Sequence, residues 1–374
     1  MINYAIVLIF ISIFIAFCVI DFKGRLSGII MLVLMYLLMA YVTMNADMSA
    51  YIGLYDNING FSDVGLTDPG FSLMMLLGKK LNLDYYGFLN MITILGLLLL
   101  AVVIYKKSQC PAIVLALYFI FVFPAETIQI RAFFAEIILY ILMLDMINRE
   151  EFKLSRFLVL MLLAVIMHAT SLFFVLLLLA VFIKDRRKLT IIMGVTIFAV
   201  PVAGQILSII PIPMIQAKLQ PYFSAQRESV SIASLVYILL YIALTVYIYW
   251  TARRETKFRL ASDNENFTDE TEKPSEWERQ LDMLLRIHII CALSCMMILF
   301  FSSNFYRITR TVMVVDFIVL GNHYLQSGRL KTTRLVIAVV ALMALFVGNE
   351  LMSHSLQTIM EYNPIFSRLI MPIY

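Results

Sequence analysis

The chain has 374 residues, 62% hydrophobic and only 14% charged, with a formal net charge of +4 and a mean hydropathy of +0.90. So little polar surface excludes a water-soluble globular domain of this length, and repeated apolar runs of about 18 or more residues mark helical membrane spans. The net charge itself says little, because the placement of Lys and Arg matters more than their sum in such a protein.

The first run, NYAIVLIFISIFIAFCVI, has no basic residues ahead of it and no small-residue cleavage site behind it, so it is expected to persist as a span rather than be removed as a signal peptide. Apolar runs predict spans near 2–20, 26–44, 86–105, 110–123, 128–147, 189–209, 230–250, 283–301, 308–325 and 335–352. The expected fold is all-α: a single polytopic transmembrane domain over 1–374, with about ten crossings. Cys18, Cys110, Cys291 and Cys295 all fall in apolar runs, where packing is expected rather than disulfides or an aqueous metal site.

Charge orients these spans. Lys23 and Arg25, then Lys106 and Lys107, then Arg149, Lys153 and Arg156 follow the first, third and fifth spans, so those loops read as cytoplasmic and both termini as outside. The outer piece 45–85 contains FSLMMLLGKKLNL, too short to span, which reads as an interfacial helix anchored by Lys79 and Lys80.

The stretch FLVLMLLAVIMHATSLFFVLLLLAVFI, residues 157–183, is flanked by Arg156 on one side and by Lys184, Arg186, Arg187 and Lys188 on the other. As one straight crossing it would put three basic clusters outside; as a re-entrant hairpin it puts roughly three quarters of the 29 Lys and Arg residues inside. Each arm then has about 11 to 13 residues and reaches about 17 to 20 Å, short of a hydrocarbon core of about 30 Å. His168, Ala169, Thr170 and Ser171 mark the turn, which requires a polar cavity because non-helical backbone at membrane depth must be satisfied by protein or enclosed water. Downstream, the polar, acidic segment 260–282 reads as a flexible cytoplasmic loop.

No phosphate-binding loop, dinucleotide fingerprint, HExxH or CxxC is present. The remaining chemistry lies in polar residues on the outer side. Arg131 is either an interfacial arginine reaching lipid headgroups or an anion ligand, since a guanidinium offers a planar fork that matches phosphate oxygens. Arg307 and Arg310 in SSNFYRITRTVMVVDF are three apart and share a helix face; arginines there run against the positive-inside bias, which favours anion binding, with Asn304 and Tyr306 as further donors. Asp316, two turns deeper, is a helical ion-pair candidate for Arg310, although its spacing does not favour direct contact.

Asp47 and Tyr51 stand four apart at a presumed helix end. Asp68, before Pro69, is either a helix N-cap or a carboxylate of the site. Glu136 is an intramembrane carboxylate without an assigned role, while His288 and His323 read as structural and His354 has no recognisable partner. His168 is either a buried hydrogen-bonding residue or, in the expected cavity, a base or a hydrogen-bond donor.

Asp47 and Tyr51, the DPGF segment at 68–71, IRAFFAEIILY at 130–140, AVIMHATSLFF at 164–174 with basic residues after it, FYRITR at 305–310 and the C-terminal NPIF at 363–366 occur in this order. That order resembles the EpsG family of exopolysaccharide polymerases, which is similar to the Wzy-type O-antigen polymerases. Ala132 departs from the pattern, where the family often has glutamine after the arginine. The resemblance implies a GT-C-like polymerase architecture in the bacterial cytoplasmic membrane and inverting, metal-independent glycosyl transfer on its outer leaflet, without a cofactor or a nucleic-acid partner. It further implies that Arg131, Arg307 and Arg310 bind pyrophosphates of polyprenyl-pyrophosphate-linked oligosaccharides, that His168 orients or deprotonates the acceptor hydroxyl, and that Asp47 and Asp68 contact sugar. Membrane lipid, and a chain-length regulator and flippase of the same pathway, are the implied partners. Three rivals share some of these features: a lipid-linked oligosaccharide flippase or transporter, a membrane acyltransferase modifying polysaccharide, and a non-catalytic partner of a synthesis complex.

Overall fold

The computed structural model describes residues 2–21, 23–65, 68–209, 232–263, 275–300, 305–326, 332–367 and 370–371. It is all-α. In chain order the helices are α1 Tyr4–Ile20, α2 Arg25–Ala40, α3 Met48–Asn57, α4 Pro69–Lys80, α5 Tyr85–Lys107, α6 Pro111–Phe121, α7 Phe123–Glu126 and α8 Ile130–Asn148. There follow α9 Leu154–Met167, α10 Leu178–Phe182, α11 Arg186–Ile209, α12 Ile232–Asp263, α13 Glu276–Phe300, α14 Tyr306–Gln326, α15 Thr332–Ser353 and α16 Ser355–Glu361. The extended backbone among the described residues that pairs as sheet is one short parallel register, Ile2 with Ile370 and Asn3 with Met371.

Helix therefore occurs within each of the ten expected spans, though over 26–44 it ends at Ala40 and over 110–123 it breaks at Val122. Of these, α5, with 23 residues and a mean hydropathy of 2.6, is among the described residues the one long and apolar enough to cross a membrane unaided. Val339–Leu351 with Ser355–Glu361, bent by 64°, would together make a second. The helices over the first two predicted spans are shorter, at 17 and 16 residues. Their sides carry exposed Ile6, Ile9, Phe10, Ile13 and Phe17 on α1, and Leu26, Ile29, Ile30 and Val33 on α2. Apolar side chains on the outer surface of helices that are apolar all round suit hydrocarbon, not water.

The chain divides into two compact units. The first comprises Met1–Leu142, Lys153–Phe173 and Phe317–Tyr374. In it α1 packs on α15 and α6, α2 packs on α5 and α6, and α4 packs on α5 and α9. Asp84 starts α5 as an N-cap, accepting the Gly87 N–H at 2.7 Å, and Lys106 and Lys107 end it where positive charge favours the helix dipole. Gly96 lets α8 approach closely, because a Cβ at that position would stand 2.2 Å from the Phe133 ring.

The NPIF segment has a structural task. Asn363 is fully buried, donates to the carbonyls of Leu37 and Leu38 at the end of α2 at 2.8 and 3.3 Å, and accepts from the Ile365 N–H at 3.0 Å. It thereby satisfies carbonyls that the helix end leaves without partners.

The second unit comprises Met143–Phe152 and Phe174–Asp316, with α13 packed on α10, α11 and α12. Two features of the 260–282 stretch differ from the loop expectation. Helix α12 continues to Asp263, and α13 begins at Glu276, so helix covers both ends of that stretch and 264–274 lies outside the described residues. The start at Glu276 has a local cause: Ser275 Oγ accepts the Glu278 N–H at 3.2 Å while Glu278 Oε2 accepts the Ser275 N–H at 2.9 Å, a reciprocal capping box. Arg279, one turn in, donates to the carbonyls of Ile147, Asn148 and Arg149 at the end of α8. Residues 210–229, which the charge pattern assigns to the outer side, also lie outside the described residues.

Asn363→Ala is expected to leave the two α2 carbonyls buried and unsatisfied at a cost of about 1–3 kcal/mol. A lower thermal unfolding midpoint of the detergent-purified variant checks this, and an unchanged midpoint contradicts it.

Candidate functional site

The stretch 157–183 breaks at His168. Helix α9 ends at Met167, His168 is extended with φ −153° and ψ 116°, and a 3-10 helix runs over Ala169–Leu177 before α10. The backbone at the break is satisfied by protein. The His168 N–H donates to Ala164 O at 2.8 Å and the Ser171 N–H to His168 O at 3.0 Å. The Ala169 N–H donates to Asp68 Oδ1 at 2.7 Å.

Asp68 is thus neither a simple cap nor a solvent carboxylate. It occupies the N-cap position of α4 with Pro69 at the first helical position, but its side chain makes no capping bond. Its backbone is left-handed, φ 55° and ψ 50°, a conformation that costs a non-glycine residue about 1–2 kcal/mol. That turn aims the carboxylate away from the helix. Besides Ala169, it accepts from Arg131 Nη1 at 2.8 Å and lies 3.5 Å from His168 Nδ1. The Asp68 side chain is only 4% exposed, Arg131 32% and His168 12%. At 3.5 Å the imidazole is at the limit of hydrogen bonding, and neither ring nitrogen makes a well-formed bond among the described residues.

The DPGF segment explains how Asp68 reaches α9. A Cβ on Gly70 would meet Ile166 Cγ2 at 2.8 Å, Met167 Sδ at 3.1 Å and Ile166 O at 3.2 Å, so only glycine lets the first turn of α4 lie against the end of α9. Phe71 is buried and packs on the rings of Tyr51 and Phe88, at 5.9 and 6.0 Å between centroids.

Tyr51 closes the cluster. Asp47 precedes α3 at its N-cap position, and the Tyr51 N–H bonds the Asp47 carbonyl at 3.0 Å, the four-residue helical relation read from the sequence. The Arg131 guanidinium lies over the Tyr51 ring, 5.3 Å from its centroid, and Nε donates to the phenol oxygen at 3.4 Å. Burial pushes the Tyr51 phenol above its ordinary value and Arg131 offsets this only in part, so the hydroxyl remains protonated. Asp47 lies within electrostatic reach of both Tyr51 and Arg131. Burial also works against ionisation of Asp68, yet the His168 imidazole, the Ala169 N–H and the Arg131 guanidinium together hold its carboxyl below the ordinary aspartate range.

The first unit therefore brings Tyr51, Asp68, Arg131 and His168 together, with Asp47 beside them. Arg307 and Arg310 belong to the second unit, in the first turns of α14. Arg310 is fully buried, its guanidinium 5.3 Å from the Tyr306 ring centroid and its Nη1 3.4 Å from the Tyr306 hydroxyl. Asn304 lies outside the described residues. Asp316 pairs not with Arg310 but with His288 Nε2, at 2.8 Å and with both side chains fully buried. Helices α13 and α14 bring these two together from positions 28 residues apart. His288 Nδ1 in turn meets Thr245 Oγ1 at 2.8 Å, and the Tyr241 ring stacks on the imidazole at 4.7 Å. Glu136, also buried, accepts from the Tyr140 hydroxyl at 3.2 Å. Among the described residues no three His, Cys, Asp or Glu side chains converge as ligands for a metal ion.

A model of the EpsG family matches residues 25–364, nearly the whole chain. The chain belongs to the EpsG family. Membership makes it an exopolysaccharide-related membrane protein. No curated protein and no solved structure matches the EpsG-family chain.

Two outcomes follow for the cluster. Because its folded pKa is depressed, Asp68 contributes stability that is fully present above the unfolded aspartate value of about 4 and lost as pH falls through the folded value. Unfolding midpoints measured from about pH 6 down to pH 3 should fall more steeply for wild type than for Asp68→Asn, and parallel curves count against the pairing. Gly70→Val is expected to push α4 from α9 at a cost of about 1–3 kcal/mol, seen as a lower midpoint.

Proposed function

We propose that the protein is a polysaccharide polymerase with about ten crossings, a re-entrant pair over 157–183 and both termini outside, which joins polyprenyl-pyrophosphate-linked oligosaccharide repeats on the outer leaflet. The observation that carries this reading is the convergence of Arg131 and His168 on the Asp68 carboxylate where helix α9 breaks. A cation and a proton acceptor side by side are what this transfer needs at its two ends.

In the reaction the hydroxyl of one lipid-linked repeat attacks the anomeric carbon of the sugar on the growing chain. A new C–O bond forms as the bond to the pyrophosphate oxygen breaks, and the configuration inverts. The hydroxyl proton passes to His168. Asp68 acts here as a positioning residue: its carboxylate, 3.5 Å from Nδ1, closes on the ring in the reacting complex and stabilises the imidazolium, which leaves Nε2 as the proton acceptor. Arg131, with Tyr51 as a neutral donor, stabilises the charge that develops on a pyrophosphate in the first unit; Arg307 and Arg310, with Asn304 and Tyr306, form by themselves a pyrophosphate-binding group of the second unit. Asp47 contacts sugar hydroxyls.

Purified protein incubated with a synthetic polyprenyl-pyrophosphate oligosaccharide is expected to give a ladder of extended chains. Arg131→Ala and Arg307→Ala should abolish it, and His168→Ala should slow it by about 10²–10⁴-fold. Transfer of the lipid between leaflets without any ladder would instead identify a flippase. Cysteines placed at 184–188 should react only from the cytoplasmic side; labelling from outside would overturn the hairpin.

A further inference from the structure

A cavity of about 510 Å³ in the first unit is lined by Lys23, Arg25, Tyr105, Ser108 and Gln109, with Ile29 and Pro111 as its apolar wall. It sits where the start of α2 meets the end of α5. The Tyr105 hydroxyl donates to Arg25 O at 3.1 Å, which ties the two helix ends together. Gly28 admits that tyrosine, since a Cβ there would stand 2.2 Å from its hydroxyl. The next loop is fixed by the Gln109 N–H to Asn322 Oδ1 at 2.7 Å and Asn322 Nδ2 to Lys107 O at 2.7 Å.

The lining is cationic, and Asp21, just before α2, accepts the Ser27 hydroxyl at 3.2 Å. The Arg25 guanidinium has no carboxylate within ion-pair distance among the described residues. Lys106 and Lys107 add further positive charge at the end of α5. Two exposed apolar stripes lead away from the cavity. On α2 they are Leu26, Ile29, Ile30 and Val33, and on α5 Leu95, Leu98, Leu99 and Val102. Each stripe follows the spacing of one helix face.

A small cationic cavity at the joint of two packed helices, continued by lipid-facing apolar stripes, has the shape of one molecule with an anionic head and long hydrocarbon tails. We infer that this is a binding site for an anionic phospholipid, its phosphate held by Arg25 and Lys23 and its acyl chains lying along α2 and α5. Arginine suits the phosphate by its paired donors, and lysine adds a compact charge. The basic residues that set this end of both helices as cytoplasmic place the lipid in the inner leaflet. The site is independent of the cluster around Asp68.

The test uses the full chain released from vesicles of phosphatidylcholine alone, or of phosphatidylcholine mixed with phosphatidylglycerol, and counts retained lipid by native mass spectrometry. One phosphatidylglycerol should be retained in preference to phosphatidylcholine. The double variant Lys23→Gln, Arg25→Gln should weaken its retention about twenty-five-fold, at about a factor of five per cation near the membrane surface. Lys106→Gln with Lys107→Gln, which removes equal charge outside the cavity, should have a much smaller effect. Equal losses in the two double variants would show general surface charge and overturn the proposal, as would unchanged retention in the cavity variant. Displacement of phosphatidylglycerol by inorganic phosphate at millimolar concentration would overturn the lipid assignment.

Discussion

A single buried carboxylate organises the first unit around the candidate site. Asp68 is almost wholly shielded from solvent, and a carboxylate in that position persists only if its charge is matched and its oxygens are bonded. The partners come from 63 and 101 residues away, the Arg131 guanidinium and the Ala169 N–H. Their demands fix three things together: where α4 begins, how α8 presents its first turn, and where α9 stops. The left-handed backbone at Asp68 is the local strain this arrangement carries, offset by contacts that a relaxed conformation would lose.

The break at His168 obeys the same constraint from the other side. A helix interrupted among apolar segments exposes N–H and C=O groups that hydrocarbon cannot satisfy. Here each of the N–H groups of His168, Ala169 and Ser171 finds an acceptor in the protein, and the one that no helix could serve is taken by Asp68. The bond that completes the backbone also sets an imidazole and a guanidinium on one anion. One carboxylate serves the backbone of the break and both side chains, so replacing it disturbs all three.

The second unit treats its buried polar groups in a comparable way. His288 lies between Asp316 and Thr245 beneath the ring of Tyr241, joining α12, α13 and α14 by hydrogen bonds that a low dielectric strengthens. In a membrane, where apolar surface gives little drive for helices to associate, such polar contacts and close glycine approaches hold helices together. Gly96 against Phe133 and Gly70 against Ile166 play the latter part in the first unit.

Much of this was legible in the sequence. Apolar runs marked where helices form, and the histidine within the run 157–183, with basic residues at both ends, marked the break at His168. The residues DPG, IRAFF and MHATS marked candidates, because an acid before a proline is either a helix cap or a carboxylate of a site, and an arginine or a histidine bordering an apolar run is costly without a partner. The capping box at Ser275 and Glu278 was also written locally, and the acidic composition around it obscured the signal. Composition and periodicity thus determined the class of fold, the helices and the identity of the polar residues, since burial in hydrocarbon penalises every exception to the apolar pattern. Only the tertiary structure decided that Asp68 turns away from its own helix to join Arg131 and Ala169, and that Asp316 pairs with His288 rather than Arg310. Those choices depend on which charges meet across distant segments, and electrostatic pairing of that kind leaves no period in the chain.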